Sequence, residues 1–186
     1  MSRLNPRLDQ FTCNNLRDTF SIGVIGVGLF AMLRWLVPVS HVPTASMEPS
    51  LPEGSKVLVS NVEYWFDVPQ RGDVVVFDSG FRAGLLDREV VRFTKRIVGL
   101  PGETIEVTPV GEVYIDGELL EGVIASRPYS SATIAEEHYF MLGDNHQDDS
   151  YDSTVLGAIA EDKIEGRAMA VVWPPGKLAT VTHPSW

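Results

Sequence analysis

Cysteine is almost absent from this chain of 186 residues, which contains only Cys13. A single cysteine allows no intrachain disulfide and no thiolate metal cluster, so the folded chain must be stable without either. The four histidines, His41, His138, His146 and His183, show no HExxH or similar ligand spacing. The sequence therefore predicts no metal site, and no cofactor is expected.

Basic residues are scarce beyond the first forty positions. Residues 1–40 contain four arginines and two aspartates, whereas residues 41–186 contain 11 basic and 23 acidic side chains. Nucleic-acid binding requires a basic surface, so nucleic acid is not expected as a partner. The positive N-terminal part is typical of the cytoplasmic side of a membrane.

Only one long hydrophobic run occurs. Residues 20–33 read FSIGVIGVGLFAML, and beyond Arg34 the apolar residues continue to Val37, which makes eighteen residues in all. About 20 residues cross a bilayer, and an arginine near the end of a span can extend its charge to the interface. The run predicts a transmembrane anchor over residues 20–38, behind a short cytoplasmic arm of residues 1–19.

A buried core helix and a cleaved signal peptide are the alternatives to an anchor. A charged arm before an apolar core of about 14 residues is also typical of signal peptides. Cleavage requires small residues at −1 and −3, and the nearest candidate, after Ala45, has Pro43 at −3. We therefore favour a single-pass anchor with a cytoplasmic N-terminus, which leaves residues 39–186 on the other side of the membrane.

Helical periodicity is missing outside the apolar run. Short β-branched runs separated by glycine and proline turns predict strands instead. The predicted strands are residues 56–59, 73–77, 90–98, 104–107, 112–115, 118–120, 138–142 and 168–173, with a tight turn at Asp116-Gly117. The expected fold is mainly β, an antiparallel domain over residues 39–186, of which residues 104–138 are a candidate sub-region apart from any active site.

Residues 43–51, PTASMEPSL, contain a candidate nucleophile, Ser46. Each of the two prolines disfavours helix at the residue before it, so an extended, bent backbone is expected around this serine. A serine hydroxyl attacks only when a neighbouring base takes its proton. None of the histidines lies in a recognisable catalytic motif, although a Ser-His-Asp triad is defined by geometry rather than chain order. A plain polar connection is the alternative interpretation.

Lys95 is the other candidate base, because it lies inside an apolar predicted strand. A lysine accepts a proton only when it is neutral, so its pKa must fall from ~10.4 toward about 8, at a cost of about 3 kcal/mol. Desolvation or nearby positive charge lowers the pKa, and Arg96 follows directly. An edge-strand lysine that faces solvent fits the same local sequence.

Residues 143–153, GDNHQDDSYDS, form a polar loop after a predicted strand. The loop lacks the acidic alternation, central glycine and closing glutamate of an EF-hand, which argues against calcium. A solvated turn and a polar cradle that orients a catalytic lysine are the two other interpretations.

Together, these stretches resemble a type I signal peptidase, the membrane-bound serine protease that removes signal peptides from exported proteins. The matching blocks run in order along most of the chain: RWLV at 34–37, PTASMEPSL at 43–51, GDVVVF at 72–77, KRIVGLPGE at 95–103, the loop at 143–153 and GRA at 166–168. The resemblance implies a catalytic domain over residues 39–186, with signal peptides and membrane lipid as partners. The bacterial plasma membrane is the expected location, and a thylakoid or mitochondrial inner membrane is the alternative.

The resemblance also implies roles for individual residues. Ser46 matches the nucleophile and Lys95 the general base, while Thr44 matches the position whose hydroxyl joins the Ser46 N–H in the oxyanion hole. Small substrate side chains at −1 and −3 are expected to bind in shallow apolar pockets. Residues 72–77 and the backbone before Ser46 are the expected walls.

The loop after residue 142 matches the family less closely. The family pattern is Gly-Asp-Asn, three residues, then Ser-x-Asp-Ser-Arg, whereas here four residues separate Asn145 from Ser150, and Thr154 stands in place of the arginine. Ser150 still matches the serine that orients the lysine. The positions that support the site match Asp144, Asp152 and Arg96. The departures leave the role of Ser150 and the pairing of Asp152 open.

Two other protein classes fit parts of the sequence. A self-cleaving repressor also uses a Ser/Lys dyad, but it predicts a DNA-binding N-terminal domain where this chain has an apolar run. A membrane-anchored β module for binding has no enzymatic activity, and therefore depends on neither Ser46 nor Lys95.

Overall fold

The structure, a computed structural model, describes four stretches of the chain: residues 19–32, 38–84, 89–148 and 151–184. The chain divides into two compact units between residues 37 and 38. In the first unit, residues 19–32 form helix α1, whose side chains are exposed. No helix within the described stretches is both long and apolar enough to cross a membrane. The rest of the predicted arm and anchor, residues 1–18 and 33–37, lies outside the described residues.

The second unit contains a large antiparallel sheet. Its strands are β1 (Val39–His41), β2 (Lys56–Ser60), β3 (Val74–Ala83), β4 (Glu89–Gly99), β9 (His138–Leu142), β10 (Ile159–Ala160), β11 (Ile164–Trp173) and β12 (Ala179–Thr180). They lie in the order β1-β2-β11-β3-β4-β9-β10, and β12 pairs with β11. Because β3 lies in the interior, its residues 74–77 are buried on both faces, and the strand reads as a continuous apolar run.

A smaller antiparallel sheet is inserted between β4 and β9. It consists of β5 (Thr104–Val107), β6 (Glu112–Ile115), β7 (Glu118–Ile124) and β8 (Tyr129–Thr133), in the order β7-β6-β5-β8. Asp116 and Gly117 both have positive φ, so they form the tight turn that joins β6 to β7. This sheet occupies most of the predicted sub-region at residues 104–138, whose non-catalytic role stays a prediction.

The prediction of a mainly β fold is confirmed, since each predicted strand overlaps an observed one. The structure adds four strands that the sequence pattern did not indicate: β1, β8, β10 and β12. Three of them have only two or three residues, which is too short for an alternating pattern. The fourth, β8, reads YSSAT, and its polar residues are exposed at the edge of the small sheet.

A core on one face of the large sheet fixes the stretch that contains Ser46. Met47 and Leu51 are fully buried and pack in one cluster with Val74 and Val76 of β3. Burial of each such side chain contributes about 1.5–3 kcal/mol. The residues on both sides of the candidate nucleophile are therefore held by packing against the sheet.

Candidate active site

Ser46 lies in a single turn of 3-10 helix, Ala45–Met47, and is only 3% exposed to solvent. Thr44 before the turn and Glu48 after it are extended, with ψ of 161° and 143°. The expectation of an extended backbone is therefore correct for the flanking residues and wrong for Ser46 itself. A proline restricts its own φ and the residue before it, and Ser46 occupies neither position, so the turn is free to form there.

Lys95 lies in the middle of β4, where it is 2% exposed and pairs with Val75 of β3. Since β4 lies between β3 and β9, the alternative of an edge-strand lysine that faces solvent is wrong. Burial lowers the pKa of Lys95 to about 8, although three nearby carboxylates raise it, those of Asp152, Asp148 and Asp144. The depression thus comes from desolvation rather than from a positive neighbour.

Gly143 brings the chain close to both candidate catalytic residues. A Cβ atom at this position would lie 2.7 Å from the carbonyl oxygen of Ser46 and 3.4 Å from Lys95 Nζ. Any larger residue would therefore push the Ser46 backbone away. Ser46 and Lys95 also line one cleft of about 310 Å³.

The described walls of this cleft come from three segments of the chain. Its lining residues are Val42, Pro43, Thr44, Ser46, Val91, Arg92, Phe93, Thr94, Lys95, Asp148 and Tyr151. The expected wall before Ser46 is present, but the other wall is β4 rather than residues 72–77, because those residues are buried within the sheet. Histidine does not occur among the described residues that line the cleft, so no Ser-His-Asp triad forms there.

Thr44 places a second hydroxyl beside the candidate nucleophile. The distance between Thr44 Oγ1 and Ser46 Oγ is 3.1 Å, and either group can donate this hydrogen bond. A hydroxyl this close to Ser46 Oγ would also lie close to a carbonyl group that this oxygen attacked.

Asn145 clamps the turn that contains Ser46. Its backbone N–H donates to the Ser46 carbonyl at 3.0 Å, and its side-chain amide donates to the Ala45 carbonyl at 3.1 Å. Asn145 is not among the predicted site residues, although it belongs to the Gly-Asp-Asn start of the loop. The loop after β9 therefore contacts the candidate nucleophile through its backbone.

Arg96, which is buried, and Asp144, which is partly buried, form a bidentate ion pair behind the site. Arg96 Nε donates to Asp144 Oδ1 at 2.8 Å and Nη2 donates to Oδ2 at 2.7 Å. Arg96 also donates to Ser50 Oγ and to the carbonyl oxygens of Gly72 and Thr182. This one guanidinium thus joins the loop to the Ser46 stretch and to the C-terminal residues.

Asp152 is 2% exposed and caps the short helix α2 (Ser153–Leu156). Its Oδ1 accepts hydrogen bonds from the Thr154 backbone N–H at 2.9 Å and from the Thr154 hydroxyl at 2.5 Å. Thr154, at the position of the family arginine, is therefore the partner of Asp152. Ser153 Oγ accepts a hydrogen bond from the Met141 N–H, a contact that the sequence pattern does not predict. Ser150 lies outside the described residues, and its role stays a prediction.

The Asp-rich character of the loop does not create a metal site in the described part of the chain. No group of three or more His, Cys, Asp or Glu side chains there is arranged to hold an ion. Asp144 and Asp152 instead accept hydrogen bonds from Arg96 and Thr154, as described above.

Comparison with known proteins places this site in a family. The family model "Signal peptidase, peptidase S26" matches residues 16–173. "Probable signal peptidase I-2" of Synechocystis sp. is 34% identical over 76% of this chain and 66% of its own length, and "Signal peptidase I" of Leptolyngbya laminosa is 32% identical over 88% and 82%. "Thylakoidal processing peptidase 1, chloroplastic" of Arabidopsis thaliana is 30% identical over 76% of this chain and 44% of its own length. The chain therefore belongs to the signal peptidase family, and it is a membrane-associated serine endopeptidase that cleaves signal peptides.

Proposed function

We propose that Ser46 is the nucleophile and Lys95 the general base with which this enzyme cleaves the bond after a signal peptide. The observation that carries the proposal is the burial of Lys95 in the cleft that contains Ser46. Because burial lowers the pKa of Lys95 to about 8, a useful fraction of its amine is neutral near that pH. A solvent-exposed lysine, with a pKa of ~10.4, would be almost fully protonated.

The reaction then proceeds through an acyl-enzyme. Neutral Lys95 accepts the hydroxyl proton of Ser46 while Oγ bonds to the scissile carbonyl carbon, and the carbonyl oxygen becomes an oxyanion. The C–N bond breaks as the Lys95 ammonium returns the proton to the leaving amine. Water, deprotonated by Lys95, attacks the ester in the same way, and Ser46 regains its proton when the carboxylic product leaves.

Thr44 is proposed to donate a hydrogen bond to the oxyanion, together with the Ser46 N–H. Its hydroxyl lies 3.1 Å from the attacking oxygen, so a rotation about one side-chain bond can redirect it toward the new oxyanion. Arg96, Asp144 and Asp152 are proposed to support the site by holding the loop, as their hydrogen bonds indicate. Ser150 is proposed to orient Lys95.

The proposed substrate has small side chains at −1 and −3. An extended peptide beside Ser46 would lie between the segment at residues 42–44 and strand β4, and both contribute apolar surface to the cleft. Shallow apolar walls of this kind favour small apolar side chains over large or charged ones.

For the topology, we propose a cytoplasmic arm at residues 1–19, a single anchor at residues 20–38 and an extracytoplasmic catalytic domain at residues 39–186. The eighteen-residue apolar run and the positive charge before it support this arrangement. A bacterial plasma membrane or a thylakoid membrane is the proposed location, with lipid around the anchor. Protease treatment of sealed inverted vesicles tests the topology: protection of residues 39–186 supports it, and digestion contradicts it.

The test of the mechanism uses the full chain, purified in detergent and incubated with a preprotein. Ser46→Ala and Lys95→Ala are each expected to lower the processing rate by at least about 10³-fold. Ser130→Ala and Lys177→Ala, which change exposed residues of the same types, should process normally. Processing by Ser46→Ala or Lys95→Ala at the rate of the unaltered enzyme would disprove the mechanism.

A further inference from the structure

Tyr151 belongs to a connected group of aromatic rings beside the active site. Its ring stacks on Phe93 with an interplanar angle of 10° and a centroid distance of 6.5 Å. Its edge also meets Phe81 at 5.6 Å. Phe93 in turn contacts Phe77, which is fully buried, at 6.2 Å in an edge-to-face arrangement. The position of the Tyr151 ring is thus linked to the core through Phe93.

The same rings form one wall of the catalytic cleft. Tyr151 and Phe93 line the cleft together with Ser46 and Lys95. Phe93 and Lys95 are two residues apart on β4, so their side chains point to the same face of the strand. The stacked pair therefore stands beside Lys95 in the same cleft as Ser46.

The backbone that follows Tyr151 is held in place as well as its ring. The next residue, Asp152, is buried and capped onto α2 by its two hydrogen bonds with Thr154. Tyr151 itself is 52% exposed, so the part of its surface that Phe93 and Phe81 leave uncovered is open to a ligand. A bulky ring that is held at both its backbone and its stacked face cannot easily move aside for a larger substrate side chain.

We propose that Tyr151 limits the size of the substrate side chain at −1, by acting as a fixed aromatic wall of the cleft. The proposal rests on the function proposed above, in which Ser46 attacks the carbonyl of the −1 residue. Because that residue has its side chain nearest to Ser46, it is the one that meets the wall next to Lys95. Loss of the ring opens the cleft and admits branched side chains that the ring excludes.

The test compares kcat/KM for peptides that differ only at −1, with alanine or valine. In Tyr151→Ala the ratio of the valine to the alanine value is expected to rise about tenfold, the size of discrimination that a methylene or two gives in an apolar pocket. Tyr151→Phe keeps the stack and should leave the ratio within about twofold. Tyr114→Ala removes a tyrosine from the small sheet and serves as the matched control.

Tyr151→Leu keeps apolar bulk and should raise the ratio in the same direction but by less, which provides a second variant if Tyr151→Ala does not fold. An equal loss of rate on both peptides would overturn the proposal, because it would show a purely structural role. The proposal would also be overturned if the ratio of valine to alanine kcat/KM rose only for peptides that differ at −3. The Tyr151 variants all retain Ser46 and Lys95, so their peptide ratios test only the role of Tyr151. Activity of Ser46→Ala would instead contradict the proposed function.

Discussion

The two segments that form the active site are held in place by different forces. Residues 43–51 are fixed mainly by apolar burial, through Met47 and Leu51. The described residues of the loop at 143–153 are held by polar contacts, chiefly the Arg96–Asp144 ion pair and the cap at Asp152. The difference indicates that packing positions Ser46, the proposed nucleophile, whereas a network of charges and hydrogen bonds positions the loop beside Lys95, the proposed base.

Breaking the ion pair should have the largest effect on stability. Asp144→Ala leaves the Arg96 guanidinium buried, with its side chain only 7% exposed, and without a charged partner. We expect the free energy of unfolding to fall by about 3–5 kcal/mol, measured by denaturant titration. Glu165→Ala breaks the Arg92–Glu165 pair, whose side chains are 51% and 37% exposed, and should cost less than about 1 kcal/mol. Equal costs for the two variants would contradict the polar account of the loop.

Removal of packing under Ser46, the proposed nucleophile, should have the next largest effect. Met47→Ala empties a fully buried position in the core beneath Ser46, so the free energy of unfolding should fall by about 2–5 kcal/mol. The rate of preprotein cleavage should fall too, because the turn loses its anchor. Met169→Ala, at a position that is 40% exposed, is the control. An unchanged stability in Met47→Ala would show that packing does not fix this segment.

Substitution of Thr44 tests catalysis by residues 43–51 without changing the buried side chains that hold this segment. Thr44→Val removes the hydroxyl that lies 3.1 Å from Ser46 Oγ and keeps the shape of the side chain. If the hydroxyl stabilises the oxyanion, kcat should fall by about 10²–10³-fold with little change in KM. Thr44→Ser keeps the donor and should retain most of the activity. A rise in KM with no change in kcat would instead show that Thr44 contributes only to substrate binding.

The smallest expected effect on stability is at Thr154, which follows the polar loop at residues 143–153. Thr154→Val removes the hydroxyl that donates to Asp152 and leaves the backbone N–H in place. The free energy of unfolding should fall by about 0.5–1.5 kcal/mol, the usual value for one hydrogen bond. Thr154→Ser restores the donor and should restore the stability. If Thr154→Val costs nothing, the hydroxyl does not replace the family arginine as the partner of Asp152.

The same difference explains which features the sequence could predict. Strands such as β3 and β4 follow from β-branched runs, and the predicted roles of Ser46 and Lys95 follow from the order of the family blocks. The burial of Lys95 could only be weighed as one of two alternatives, because it depends on which strands flank β4. Periodic patterns indicate which residues are buried. The part of the site that is held by apolar packing, residues 43–51 on the large sheet, is therefore the more predictable part.

The polar side of the site was less predictable because its contacts join residues that are distant in sequence. Asn145 reaches the carbonyl of Ala45 one hundred residues away, and no local pattern encodes that contact. The pairing of Asp152 with Thr154 is local, but it depends on a hydroxyl in a position where the family has a guanidinium. The two-residue strands β10 and β12 are likewise defined only by their pairing with β9 and β11, which no local pattern shows.

The pH dependence of cleavage tests the central claim, that a buried neutral Lys95 is the base. The relevant quantity is kcat/KM from about pH 6 to about pH 10, for the unaltered enzyme and for Asp148→Asn. A lysine base works only when deprotonated, so kcat/KM should rise with pH and level off above an apparent pKa of about 8. The Asp148 carboxylate raises the pKa of Lys95, so its removal should move this rise to lower pH. A rate that is constant across this range, or a rise that moves to higher pH in Asp148→Asn, would contradict the assignment of Lys95 as the base.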